Sequence, residues 1–487
     1  MAQGARTVIG LEVHVQLSTK SKMFCPCSTD YIGTVPNTNI CPVCLGLPGT
    51  LPVLNGRVIE FAIRGALALG SSIAGRTWFH RKNYFYPDLP KAYQISQYDI
   101  PLASGGSLVI ETENGKKKIG ITRLHLEEDA GKLVHEAKDG RLAGSAGSLI
   151  DYNRAGVPLV EIVSEPELAS PAQARDYVVR LRQLVRYLGI SDGDMESGSL
   201  RVDANISRTF PDGRLGSKVE VKNMNSLAAL EKALAHEEER QDVILSKGGS
   251  IIQETRHWDD VAGRTVSSRG KEEAHDYRYF PEPDLPPVVI TEAMIARVCK
   301  SLPELPWEKE ERFCKEYSLT REETALLVSG RKLAEYFEKT VAGGADPKRT
   351  ANWFRTEVLR LMNEGGFDTG APPVPAITLA ELLKAVDESR LSNTAAKDVW
   401  GKMLDTGCSV SDAMESLGLS EGTASGDELR SIIRRVLENQ QEVVEEIRAG
   451  RDPKGKKRKF LFGLVMRETR GQAEPAEVGE TLEEMVR

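Results

Sequence analysis

The sequence has 487 residues, of which 40% are hydrophobic and 28% charged, with a formal net charge of −7. That length exceeds one core of ordinary size, and the composition is that of a soluble globular chain, so two or three domains are expected. The acidic balance excludes a uniformly basic nucleic-acid binder, so any RNA contact must come from local patches. No run of about 18 apolar residues is present to span a membrane. The segment before Leu17 lacks the charged-then-apolar pattern of a secretion signal. Seven cysteines, an odd count, point to a reducing cytoplasm rather than a disulfide framework.

From Val8 to about Ile290 the chain alternates apolar and polar residues many times, which predicts a strand-rich domain. Val8–Leu17 puts Ile9, Leu11, Val13, Val15 and Leu17 on one face and Glu12, His14 and Gln16 on the other. Next come Cys25-Pro-Cys27 and, after thirteen residues, Cys41-Pro-Val-Cys44. Two close thiol pairs can close a tetrahedral shell around zinc, and four thiolates leave no open position, so such a site is structural. An iron–sulfur cluster and four unligated cysteines are the alternatives. His80–Tyr93 then interleaves cations with aromatic rings, a composition suited to a single-stranded RNA end or a nucleotide as well as to an ordinary surface loop.

Three further segments repeat the two-faced pattern. Ile121–Glu128 sets Arg123, His125 and Glu127 against Leu124 and Leu126. Ser199–Ser207 sets Arg201, Asp203 and Asn205 against Leu200, Val202 and Ala204. Lys218–Lys222 sets Lys218, Glu220 and Lys222 against Val219 and Val221. A merely solvated sheet face is one explanation. Carboxylates with imidazole are also ligands for a hard divalent cation, and neighbouring Arg and Lys would hold phosphates, so metal-assisted phosphoryl transfer is the sharper one. Neither a G-x-x-x-x-G-K-[ST] loop nor a G-x-G-x-x-G string occurs.

The proline-dense Pro281–Pro287 marks a boundary. Helical periodicity follows over Ala293–Leu302, Trp307–Tyr317, Arg321–Ala342, Pro347–Asn363 and Ile377–Asp405. A tail from about Val410 holds helix-like Asp427–Ala449 and Phe460–Gly471. Lys454–Lys459 is a basic turn before the last of these, either solvated or in contact with RNA phosphates. The expected fold is therefore α+β: a strand-rich mixed domain over 1–290, an all-helical domain over 291–408 and a small helical tail domain over 409–487.

Several long segments resemble the B subunit of the bacterial tRNA-dependent amidotransferase. They include Val8–His14, Arg81–Pro87, Lys91–Gln97, Arg123–Lys132, Asn153–Pro158, Glu161–Pro166, Gly198–Asn205, Glu220–Asn225, Ala274–Pro283 and the tail from Phe462 to Gly471. The resemblance covers essentially the whole chain. It implies a cradle-shaped catalytic domain that binds ATP, Mg²⁺ and the 3′ end of the tRNA, and a tail that engages tRNA(Gln) or tRNA(Asn). The implied partners are an amidase (glutaminase) subunit that releases ammonia and a small linker subunit. The implied reaction phosphorylates the side-chain carboxylate of mis-acylated Glu-tRNA or Asp-tRNA, after which ammonia displaces phosphate.

By the same resemblance the metal residues are Glu12, His14, Glu128, Asp203 and Glu220. Strict alternation puts Glu127, not Glu128, beside His125, so Glu127 is held in reserve. The resemblance sets Lys82 and Tyr84 near the nucleotide or the aminoacyl end. Arg201, Lys222 and Asn223 are nucleotide contacts by position alone. The cysteine quartet rests on its spacing more than on the family. A non-catalytic RNA-binding scaffold is the rival from another class. An aminoacyl-tRNA synthetase is disfavoured by the absence of its nucleotide motifs, and a free-standing glutaminase by the absence of a serine-rich amidase motif with a catalytic lysine.

Overall fold

The computed structural model describes residues 6–136, 145–210, 213–268, 277–365, 372–419, 426–452, 455–469, 473 and 475–486. Lys454, Gly471 and positions 274–276 of the Ala274–Pro283 segment lie outside them. The chain forms two compact units, Met1–Leu305 and Pro306–Arg487. The first is mixed α+β and the second is helical.

The first unit is organised around the strand Arg6–Gln16. Its alternation is strict: Ile9, Leu11, Val13 and Val15 are at most 1% exposed, while the residues between them face the other way. It pairs antiparallel on one side with Leu200–Thr209 and on the other with Pro158–Ser164. Beyond Leu200–Thr209 the sheet continues through Val219–Lys222, Glu254–Asp259 and Arg264–Ser267. Beyond Pro158–Ser164 it continues through Gly115–Glu128, Tyr93–Ser96, His80–Asn83 and Phe280–Pro281. Val219–Lys222 and Glu254–Asp259 run parallel, which a tight turn cannot achieve; helix Leu227–Ser246 makes the crossover.

That helix and Pro171–Tyr187 start at Ser226 and Ser170, whose hydroxyls accept from the Ala229 and Gln173 backbone N–H groups. The two helices lie against each other, and Leu227–Ser246 also lies along Leu200–Thr209. Glu237 is fully buried there, bonded by Arg240, Gln241 and the Thr265 hydroxyl, so a charge inside the unit is completely partnered. Helix Glu292–Lys300 packs on Gly56–Ala68, inside this unit and not with the helical one. The polar sheet face is left to line an open cavity.

The second unit has two cores. Phe313, Phe337, Phe354, Leu383 and Trp400 belong to one, and Leu429, Ile433, Leu461, Val465 and Leu482 to the other. The periodic segment Arg321–Ala342 is two helices, Arg321–Leu327 and Arg331–Ala342, because Gly330 takes an extended conformation and starts the second. Of Phe460, Leu464 and Val465, expected on the apolar face of the tail helix, Val465 is buried and Leu464 packs against the core, but Phe460 is 50% exposed and Leu461, one turn before Val465, is buried in its place. No helix among the described residues is long and apolar enough to cross a membrane.

The central strand should carry the stability of the first unit. Leu11→Ala is expected to cost about 2–5 kcal/mol, read from the urea midpoint at constant slope. Leu215→Ala, at a position 62% exposed, should stay within about 0.5 kcal/mol.

Candidate active site

Register brings the site together. His14 lies opposite Arg201 on one neighbouring strand and opposite Glu161 on the other, and Glu161 lies opposite His125. One row of side chains, Arg201–His14–Glu161–His125, therefore crosses four strands on the polar face. His14 Nε2 is 3.3 Å from Glu161 and 3.5 Å from Glu127, and His125 Nε2 is 3.3 Å from Glu161. The ligand atoms of His14, Glu127 and Glu161 all lie within 4.8 Å of one another, so one cation could reach all three.

The two imidazoles differ in charge. Burial opposes protonation of His14, but Glu161, Glu127 and Asp203 outweigh it and lift its pKa from 6.5 to about 9. Burial also dominates at His125, and there the nearby carboxylates do not compensate, so its pKa falls and the ring is neutral at pH 7. Glu161 is itself buried, which would favour its acid form. His125, His14 and Arg123 override that and hold it well below the usual carboxylate range.

A second group stands one row away. Glu12 lies opposite Asp203, and Asn205 lies opposite Glu220. Lys222 Nζ is 2.9 Å from Asp203 and 3.6 Å from Glu220; Asn205 donates to Glu12 at 2.9 Å and the Thr255 hydroxyl to Glu220 at 2.8 Å. Burial works against the Lys222 charge, but Asp203, Glu220 and Glu12 raise its pKa above the usual lysine value. Asp129, 3% exposed, is held below its usual pKa against burial by Arg201 and Arg154, and it also accepts from Gln16 at 2.8 Å.

On the far side Lys82 sits among rings, its Nζ 4.9 Å from the Tyr277 centroid and 5.9 Å from that of Tyr84. Burial opposes its charge, and Glu127 with Tyr279 and Tyr277 more than offsets it. Apart from Asn205, Arg154 and Gln16, these groups line one cavity of ≈ 1250 Å³.

Of the residues expected at the site, Glu12, His14, Lys82, Tyr84, Arg201, Asp203, Glu220, Lys222 and Asn223 line this cavity. Asn223 has φ 68° at the end of its strand, and its amide donates to the Trp258 carbonyl at 3.1 Å, so it shapes a turn. Glu128 is not brought to the cluster. The Gly115–Glu128 strand stays regular to its end, with Leu159 opposite Glu127 and Pro158 opposite Glu128, and the only shift lies at Val163/Ser164. Alternation therefore sends Glu127 to His14 and Glu128 to the other face, where it pairs with Lys91 and accepts from the Ile95 N–H at 2.9 Å.

Sequence reasoning passed over Glu161. Its signal was legible: one carboxylate inside the otherwise apolar run Leu159–Val163, where a charge must find partners.

The Cys25, Cys27, Cys41 and Cys44 sulfurs also lie within 4.8 Å of one another. Zinc–thiolate bonds of about 2.3 Å need sulfurs about 3.8 Å apart, so the set fits a tetrahedral ion. Cys44 accepts from the Cys41 N–H at 3.1 Å and has the fully buried Lys22 ammonium 3.8 Å away. The pull of the Cys25 thiol and those donors lowers its pKa to about 5, whereas the Cys25 thiol is pushed up.

Two family models match the chain: the GatB/GatE catalytic domain over residues 7–296 and the GatB domain over 335–486. The chain belongs to the GatB family. It is 49% identical to the B subunit of the aspartyl/glutamyl-tRNA(Asn/Gln) amidotransferase of Caldanaerobacter subterraneus subsp. tengcongensis over 98% of each chain. It is 49% identical to the same subunit of Carboxydothermus hydrogenoformans over 98% of this chain and 97% of the relative, and 48% identical to that of Thermotoga maritima over 96% of each. The family's catalytic model spans every residue of the polar sheet face described above.

A cation bound through His14 must displace its proton. Because that proton is held to about pH 9, Mn²⁺ affinity should rise with pH between 7 and 9, with close to one proton released per ion. Calorimetry in buffers of different ionisation enthalpy reads the release, and His14→Gln should abolish it.

Proposed function

We propose that the chain acts as the B subunit of a glutamine-dependent tRNA amidotransferase and that the His14–Glu127–Glu161 face is its phosphoryl-transfer site. The observation that carries this is the joining, in one cavity, of a cation-binding triad with Lys82, Arg123, Arg201 and Lys222. A solvated sheet face would not bury Glu161 between two imidazoles. A non-catalytic scaffold has no use for such a cluster.

A carboxylate is a poor acyl group because oxide does not leave. In this reading an oxygen of the side-chain carboxylate of Glu-tRNA(Gln) or Asp-tRNA(Asn) attacks the γ-phosphorus of ATP, and ADP departs. Ammonia then adds to the acyl carbon, loses a proton and expels phosphate, leaving the amide. Mg²⁺, when bound, neutralises phosphate oxygens during transfer. His14, Glu127 and Glu161 are the groups to hold it, with Glu12, Asp203 and Glu220 within the same cavity. Lys82 steadies the incoming carboxylate between the Tyr84 and Tyr277 rings. Arg201, oriented by Asp129, and Lys222, oriented by Asp203, draw charge from the phosphates. Glu128 has no part in holding the cation.

The further assignments follow from this reading. Ammonia comes from a partner amidase subunit, since the sequence has no serine-rich amidase motif with a catalytic lysine, and the family resemblance adds a small linker subunit that ties the two together. The chain works in the cytoplasm, and Cys25, Cys27, Cys41 and Cys44 hold a structural zinc ion. The catalytic domain extends to Leu305 rather than to residue 290, a helical domain is built on the core of Phe313 and Trp400, which reaches Met414, and a tail built on the core of Leu429 and Leu482 meets tRNA. In the tail, Lys457 is engaged by Glu446, which leaves Lys456, Arg458 and Lys459 for phosphates.

The test is amidation of Glu-tRNA(Gln) by the reconstituted complex with ATP, Mg²⁺ and free ammonia. Glu127→Gln is expected to lower kcat about 10²–10³-fold, the scale of losing one charge-stabilising group, with tRNA affinity unchanged. Wild-type turnover in that variant would sink the assignment. For the cysteines, metal analysis should find one zinc per chain, lost in Cys44→Ser.

A further inference from the structure

The rim of the cavity carries a feature that phosphoryl transfer itself does not use. Tyr98 and Tyr279 lie ring on ring, with centroids 4.0 Å apart and planes within 6°. Both line the cavity of His14 and Lys82, and Tyr98 is 49% exposed although it contacts Tyr279 and the edge-on His80 ring. The stack is continuous with the reacting end: Tyr279 meets Tyr277 at 6.1 Å, and the Tyr277 ring carries the Lys82 ammonium.

The obvious structural role for the pair is to fasten residues 277–284 to the sheet. That segment is already fastened. Arg81 grips Glu282 through two bonds of 2.7 and 2.8 Å and reaches Asp284 at 3.2 Å. Asn83 donates to the Arg278 carbonyl at 2.9 Å, and Phe280 and Pro281 pair with the His80–Asn83 strand. A half-exposed aromatic stack adds little to such an anchorage. Leaving it at the mouth of a polar cavity keeps apolar ring surface in water, and a planar ligand would cover that surface.

We propose that Tyr98 and Tyr279 form a stacking platform for an adenine base of a substrate that enters this cavity. The inference rests on the phosphoryl-transfer reading of the site, in which both ATP and the 3′ end of the tRNA carry adenine. Stacking on tyrosine recognises the flat face of the base and needs no further hydrogen bond. It sets the base at the rim with its sugar and phosphate, or its aminoacyl group, directed along the tyrosines toward Lys82 and the carboxylates.

The probe is Tyr98→Trp in the full chain, titrated separately with ATP·Mg²⁺ and with an RNA minihelix ending in single-stranded CCA. Stacking should quench the new indole with one of the two ligands, which identifies the source of the base. Tyr98→Ala should weaken that ligand about 5- to 150-fold, the range of one lost stack, and leave the other within about twofold. Tyr98→Phe should retain affinity, since the ring and not the hydroxyl binds; Tyr279→Ala should repeat the loss. Binding of both ligands with no quenching, or an equal loss in Tyr98→Phe and Tyr98→Ala, overturns the platform and leaves the phosphoryl-transfer reading standing. Failure of wild type to bind either ligand overturns both.

Discussion

A single buried carboxylate, Glu161, fixes how the centre of the sheet must be assembled. It sits between Val160 and Ile162, two residues at most 1% exposed, on a strand with no other charge. Left without partners there it would be strongly unfavourable. Only the observed register answers it, with His14 opposite on one side and His125 on the other. A slip of one residue in either neighbour would turn those imidazoles to the apolar face and bring leucines or valines against the charge. The same register carries Glu127, Arg201, Asp203 and Lys222 into position, so the constraint that satisfies the core also builds the site.

Much of this was legible in the sequence because strands have a period of two. The apolar faces of Val8–Leu17, Ser199–Ser207 and Lys218–Lys222 name their polar faces without further information. Strict alternation also separated Glu127 from Glu128 correctly on the described backbone, where the family resemblance pointed to the other carboxylate. What alternation could not supply was strand order. Arg201 and His125 are 76 positions apart in the chain and stand in one row only because two other strands lie between them. The Tyr98–Tyr279 contact is equally non-local, and neither tyrosine belongs to a regular strand that could have predicted it. In the helical unit the limit was different. Propensity gave the helices, but the break at Gly330 and the rotation that exchanges Phe460 for Leu461 depend on packing.

The two faces of the Gly115–Glu128 strand divide the chemistry. Glu127 looks into the large polar cavity, within reach of His14 and on the same lining as Lys82 and Arg201. Glu128 looks to the side of the cysteine quartet, closed into a pair with Lys91 and lining a separate cavity of ≈ 250 Å³ with Cys25 and Cys44. Adjacent carboxylates on one strand thus meet different surroundings, and environment rather than residue type sets what each can do. The overall charge of −7 is no guide to how these charges are grouped, since the cavity gathers seven carboxylates with four lysine and arginine side chains.

The most direct measurement is anomalous diffraction from crystals of the chain soaked in Mn²⁺, collected on both sides of the manganese edge. A peak bounded by His14, Glu127 and Glu161 is expected, and it should vanish in Glu161→Gln. A manganese peak beside Glu128 and Lys91, with none at His14, would contradict the assignment of the polar face as the cation site.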